Sequence, residues 1–194
     1  MWIPYWDKPQ VYLSHVPVNG QREKWLRQVL DAWFALGAAP QVLVPFSDPI
    51  AFQRERRIEA EQKGGDFYIL ADDDCLPDVK NEDFIAEGMR VLKKHPDFAM
   101  LAPLPSNENI IEWTPDERLD HYKTASDEEV MEHVSIGGIR FCRKGALQTY
   151  PPMDKQLAGY DWIHGNALRK VGKRVGYIRS LGFIHLGAGF STVW

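Results

Sequence analysis

The sequence predicts one α/β domain built on a mostly parallel central sheet flanked by helices, and three observations predict it. Apolar runs of strand length alternate with amphipathic stretches of helix length over the first hundred residues, in the order strand, helix, strand, helix, strand. The run FYILA, 67–71, is apolar on both faces, which suits an inner strand of a parallel sheet. At 194 residues, with 44% hydrophobic and 26% charged side chains, the chain has the size and composition of one domain folded around a core.

The elements follow in order. VYLSHV, 11–16, forms the first strand and Pro17 ends it. Asn19 caps a helix from Gln21 to Leu36, where Trp25, Leu26, Val29, Leu30, Trp33 and Phe34 recur at helical spacing and make one buried face; Gly37 stops it. QVLVPF, 41–46, is the second strand, and Ser47, Asp48 and Pro49 turn it into a highly charged helix over 50–62. Gly64 and Gly65 introduce the third strand, Asn81 caps a helix that runs to Lys94, and FAMLA, 98–102, is the fourth strand.

The regularity breaks after that point. Residues 103–125, with Pro103, Pro105 and Pro115, read as a long surface excursion, the kind of segment that carries function. Ser126 and Glu129 form a capping box for a short helix, and VSIGGIRFC, 134–142, resumes strand character. Gly137 and Gly138 inside that run call for a bulge or the close approach of a ligand. The last third gives a helix from Tyr160 to Val171, a strand near RVGYI and a closing GFIHLGAGF segment.

Charge and cysteine content narrow the class. A formal net charge of -4 argues against a uniformly basic nucleic-acid-binding surface. Locally, Arg169, Lys170, Lys173, Arg174 and Arg179 occur without an acid among them, either as a solvated helix end and strand or as a surface for an anionic ligand. Cys75 and Cys142 stand far apart and provide neither a disulfide framework nor a zinc ligand set, which suits a reducing, cytoplasmic compartment. MWIPYWDKPQ lacks a basic leader, and no apolar stretch reaches the ~18 residues of a spanning helix, so neither secretion nor anchoring is expected.

The chemistry centres on Asp72, Asp73 and Asp74, at the carboxyl end of the third strand, where open parallel sheets collect ligands. Adjacent carboxylates repel one another unless a cation or strong donors offset their charge. Mg²⁺ or Mn²⁺ is the natural counter-ion, and such ions use one or two carboxylates plus substrate phosphate oxygens. The structural alternative is a solvated acidic turn.

GGDFYILADDDCLPD, 64–78, resembles the strand and DxD motif of the glycosyltransferases of the GT-A (Rossmann-like) fold, particularly family 2. The resemblance implies that Asp72 serves the nucleotide side of the donor, that Asp74 holds the metal with Asp72 near it, and that Asp73 supports either. VYLSHVPVN resembles the first strand and base-packing loop, which brings in Pro17, although its spacing departs by one residue. Asp48 stands where the family places an acid that reads uracil, and Arg56 and Arg57 resemble a basic pair ahead of the DxD strand; a charged helix face is the plain alternative. Residues 1–102 would then form the nucleotide-binding half and 103–194 the acceptor half.

LAGYDWIHGNALRKVGKRVGYIRSLGFIHLG, 157–187, extends the resemblance. Family 2 enzymes carry an acidic pair at a helix N-terminus beneath the acceptor; Asp161 matches its catalytic base, while Tyr160 replaces the usual Glu. An N-cap is the structural reading of the same aspartate. His185 resembles the late histidine that completes the metal site, and an imidazole favours Mn²⁺ over Mg²⁺. Gly137 and Gly138 fall beside the donor sugar, and Trp162 offers a platform or simple core packing.

The implied activity is metal-dependent transfer of a sugar from a nucleoside diphosphate sugar, first of all a UDP-sugar, to an acceptor hydroxyl with inversion. The implied acceptor is a saccharide or lipid-linked glycan. The alternatives are transfer to a hydroxymethylated base in DNA, a nucleotidyltransferase, and a non-catalytic sugar- or nucleotide-binding module. HVPVNGQREK is a poor version of the glycine-rich activation loop that a nucleotidyltransferase needs.

Overall fold

Tyr68, Ile69, Leu70 and Ala71 of the FYILA run are buried on both faces of an inner strand. A computed structural model describes residues 9–15, 20–44, 58–107, 129–133, 135–146 and 160–187. Among these, the strands are β1 (Gln10–Ser14), β2 (Gln41–Leu43), β3 (Phe67–Asp72), β4 (Cys75–Pro77), β5 (Phe98–Pro105), β6 (Val130–Glu132), β7 (Ile139–Arg143) and β8 (Arg174–His185). The helices are α1 (Gly20–Ala35), α2 (Phe84–Lys94) and α3 (Tyr160–Lys170), and residues 58–63 are also helical. The strands form one eight-stranded sheet in the order β2-β1-β3-β7-β5-β8-β4, with β6 on β8.

Pairing of β1 with β2 and β3, and of β5 with β8, is parallel, so these five strands run one way. Antiparallel β7 lies between β3 and β5, and β4 and β6 run antiparallel along β8. The result is a mixed α/β domain with a mostly parallel central sheet, as expected. None of its described helices is long and apolar enough to cross a membrane.

Period-2 alternation on β3 divides the core into two layers. Ile69 and Ala71 pack with Val11, Trp33, Phe84 and Phe141 on one face, while Tyr68 and Leu70 pack with Tyr12, Met100 and Cys142 on the other. Removing such side chains from water stabilises the fold by about 1.5–3 kcal/mol for each large aliphatic or aromatic group. Close packing also fixes where α2 lies: a Cβ on Gly88 would overlap the Phe141 ring, so only glycine lets the helix approach β7.

Several local readings change. Phe34 is 56% exposed, because it follows the buried Trp33 by a 100° step that takes it off the face of α1 made by Val29, Ala32 and Trp33. Asn81 does not cap α2: its side chain accepts from the Asp83 amide at 3.2 Å in a turn before the helix, which begins at Phe84. Glu129 is not part of a described helix; its carboxylate is held by Arg90, Lys94 and His95, and β6 follows at once. Short β4 and β6 carried no sequence signal of their own. RVGYI and the GFIH part of the closing segment lie on one long strand, β8, whose register against β5 shifts between Pro103 and Leu104. Asn19, residues 45–57, 108–128 and 147–159 lie outside the described residues.

Candidate active site

Strand direction decides where the chemistry collects. Because β1, β3, β5 and β8 share one direction, their carboxyl ends bring Ser14, Asp72, Pro105 and His185 to one edge of the sheet. Antiparallel β7 begins at that edge, since Ile139 pairs with Ala71. The N-terminal turn of α3 reaches it too, as the contact of Asp161 with Arg140 demonstrates.

The three adjacent aspartates take three different environments. Asp72 ends β3, leaves 26% of its side chain in solvent and accepts from both terminal nitrogens of Arg140 at 3.4 Å. Asp73 turns inward. At 1% exposure its carboxylate accepts from His15 Nδ1 at 2.6 Å and from Arg22, while its amide donates to the Ser14 carbonyl at 3.1 Å. Burial pushes the Asp73 carboxyl above its usual range, with the Arg22 charge opposing and the Asp74 charge adding. The resemblance implies that Asp73 supports the nucleotide or the metal; in the structure its carboxylate is engaged by His15, just past β1, and by Arg22 of α1.

Asp74 faces the late histidine. Its Oδ2 lies 3.4 Å from His185 Nε2 and 3.3 Å from Arg22. Burial acts to raise its pKa, but the His185 hydrogen bond and the charges of Arg22 and His185 outweigh that and hold it below the usual carboxylate range. His185 is fixed by Asn107, whose amide donates to the His185 carbonyl at 2.8 Å and accepts from the His185 amide at 2.9 Å.

This corner fits a hard divalent cation. The 3.4 Å separation of Asp74 Oδ2 and His185 Nε2 is close to the ~3 Å between neighbouring ligands on one octahedral ion. A Cβ on Gly187 would stand 3.0 Å from Asp74 Oδ2 and 3.4 Å from His185 Nε2, so glycine keeps the approach to both atoms open. Cys75 offers a third atom within 4.8 Å, but burial pushes its thiol far above the ordinary range, which leaves a neutral, soft and poor donor for such an ion.

Asp161, in the first turn of α3, is the fourth acid of this edge. Its Oδ1 accepts from Arg140 Nη2 at 3.0 Å, and a Cβ on Gly137 would lie 3.2 Å from its Oδ2. Gly137 thus permits the approach of the aspartate to the sheet. Gly138 is required for a different reason. At φ 71° it adopts a left-handed conformation, and a Cβ there would strike the Phe183 ring at 2.6 Å. Trp162 is 38% exposed and lines an open cavity with Ile163, Asn166 and Arg169 of α3.

Arg140, Arg22, His15 and Asn107 escaped sequence reasoning. A charge inside the apolar run IRFC was the available signal for Arg140, because a buried arginine needs acids to offset it. The other three had none, since their partners lie far off in sequence. Pro17, Asp48, Arg56 and Arg57 lie outside the described residues. Of the basic stretch, Arg169 is bonded to Glu132 at 2.8 Å, and Arg174 to Glu132 and Asp97 at 2.9 and 2.6 Å.

No family model and no curated protein matches the sequence. Solved structures match it along most of its length. The mannosyltransferase PcManGT from Pyrobaculum calidifontis, solved with GDP-Man and Mn²⁺, is 10% identical with a TM-score of 0.65, covering 95% of this chain and 59% of its own. TarS from S. aureus, residues 1–349 with UDP-GlcNAc, is 10% identical with a TM-score of 0.58, covering 93% and 61%. A197 from STIV is 12% identical with a TM-score of 0.55, covering 91% and 85%. The chain therefore has the GT-A fold, and it spans about three fifths of the first two proteins.

Proposed function

We propose that this protein is a metal-dependent glycosyltransferase that moves a sugar from a nucleoside diphosphate sugar, first of all a UDP-sugar, to an acceptor hydroxyl with inversion. One observation carries the reading: Asp72, Asp74, His185 and Asp161 converge at the carboxyl edge of a sheet whose fold is shared with proteins solved with GDP-Man and with UDP-GlcNAc. Likeness of fold alone leaves the chemistry to the site.

Asp74 and His185 hold the cation, and Asp72 meets the nucleotide side of the donor. Mn²⁺ or Mg²⁺, when bound, offsets charge on the departing diphosphate. Asp161 accepts the proton of the acceptor hydroxyl while that oxygen bonds to the anomeric carbon and the sugar–phosphate bond breaks, its electron pair leaving with the diphosphate. Pro17, Asp48, Arg56 and Arg57 contribute to the donor base and phosphates, and Gly137 and Gly138 border the sugar. A saccharide or lipid-linked glycan is the acceptor class; of the basic stretch that a DNA acceptor would use, Arg169 and Arg174 are already paired with Glu132 and Asp97.

The test is a panel of UDP- and GDP-sugars with Mn²⁺, read as slow release of nucleoside diphosphate and abolished by EDTA. Asp161→Asn is expected to lower release at least about a hundredfold while keeping donor affinity. A protein that binds no donor and releases no diphosphate across the panel is not a transferase.

A further inference from the structure

Arg140 carries an inference that deepens the transferase reading and rests on it. Its side chain is 2% exposed, among the least accessible charges in the described residues. Four acceptors surround it. Nε donates to the Ile136 carbonyl at 3.3 Å, Nη1 to the Gly138 carbonyl at 3.2 Å, both Nη atoms to Asp72 at 3.4 Å, and Nη2 to Asp161 at 3.0 Å. The two backbone bonds fix the guanidinium to the turn before β7. The other bonds reach carboxylates on two different elements, the end of β3 and the first turn of α3.

Two carboxylates facing one cleft repel each other, and a buried cation between them removes that penalty. A planar guanidinium does this with donors in a fixed fork, whereas an ammonium is a point charge with rotatable donors that sets no single angle between the two acids. We infer that Arg140 is a positioning residue: it sets the base Asp161 against the donor-side acid Asp72, so that the group taking the proton and the group meeting the nucleotide keep one relative placement. Arg140 acts through these two acids, held to the backbone by the Ile136 and Gly138 carbonyls.

The test compares Arg140→Lys with the wild type. The lysine variant keeps the charge and loses the fork, and kcat is expected to fall about a hundredfold, the loss that follows from a misplacement of about 1 Å. Mn²⁺ affinity measured without nucleotide, which reports Asp74 and His185, should stay within about twofold of wild type. Arg140→Ala gives a second arm. Millimolar guanidinium should restore turnover to it, and urea, similar in shape but neutral, should not. Wild-type kcat in Arg140→Lys, or rescue by urea as good as by guanidinium, overturns the inference. A wild-type protein that releases no diphosphate sinks the transferase reading as well, whereas an active wild type with either of those two results sinks this inference alone.

Discussion

The Arg22 guanidinium stands between Asp73 and Asp74, bonded to Oδ1 of the first and 3.3 Å from Oδ2 of the second. Asp73 also takes His15, so residues on both sides of segment 16–19 are tied to one buried carboxylate. The middle acid is therefore held from both sides, Asp74 beside it is buried against Arg22 and His185, and Asp72 keeps 26% of its side chain in solvent. Asp73→Asn should cost about 3 kcal/mol of stability in a urea titration, because it removes the buried charge that Arg22 and His15 share and leaves Arg22 only Asp74 of the two acids. A loss under about 0.5 kcal/mol would place the anchor elsewhere.

Asp74 and His185, 3.4 Å apart, are the pair proposed to hold the cation. Asp74→Asn and His185→Ala should each weaken Mn²⁺ binding by isothermal calorimetry at least about tenfold, since an ion of this kind relies on few protein ligands. Asp72→Asn should affect the affinity for a nucleoside diphosphate more than that for Mn²⁺ alone. Unchanged Mn²⁺ affinity in both corner variants would remove the corner from the metal site.

Asn107 grips the His185 backbone in both directions while remaining exposed itself. Its loss should show in metal binding rather than in stability. Asn107→Ala is expected to lower Mn²⁺ affinity about tenfold, as loss of an outer partner of a ligand does. Thermal midpoints should barely move. The opposite pattern, a large drop in midpoint with intact Mn²⁺ affinity, would mean that the clamp serves the fold.

Glu129 joins β6 to α2 through Lys94, Arg90 and His95, and hydrogen bonds from Lys94 and Arg90 hold its carboxyl down to about 2. An unfolded glutamate titrates near ~4.3, so the unfolded chain binds the proton first on acidification. The Glu129 contribution is therefore complete above about pH 4.5 and fades as pH falls toward about 2. The cluster is near the surface, and screening limits its worth to roughly 1 kcal/mol. Glu129→Gln should lower stability by that amount at pH 7 and by almost nothing at pH 2, read from urea titrations at both values. Equal losses at the two pH values would show that charge is not the cause.

Sequence alone determined the class of fold and the location of the acidic edge. FYILA had to be buried on both faces because it has no polar face, and an inner strand brings its carboxyl end, with Asp72, Asp73 and Asp74, to the ligand edge of a parallel sheet. Short-range pattern also marked Asp161 at the start of α3, which the structure puts in that helix's first turn. Tertiary structure decided the division of labour among the acids. Which carboxylate is buried and which stays in solvent depends on partners 51 to 68 residues away, Arg22, His15 and Arg140, and His185 is held by Asn107, 78 residues off. No local periodicity encodes such pairs. A hydrophobic run announces its burial by composition, but a buried charge is explained only by the opposite charge that folding brings to it.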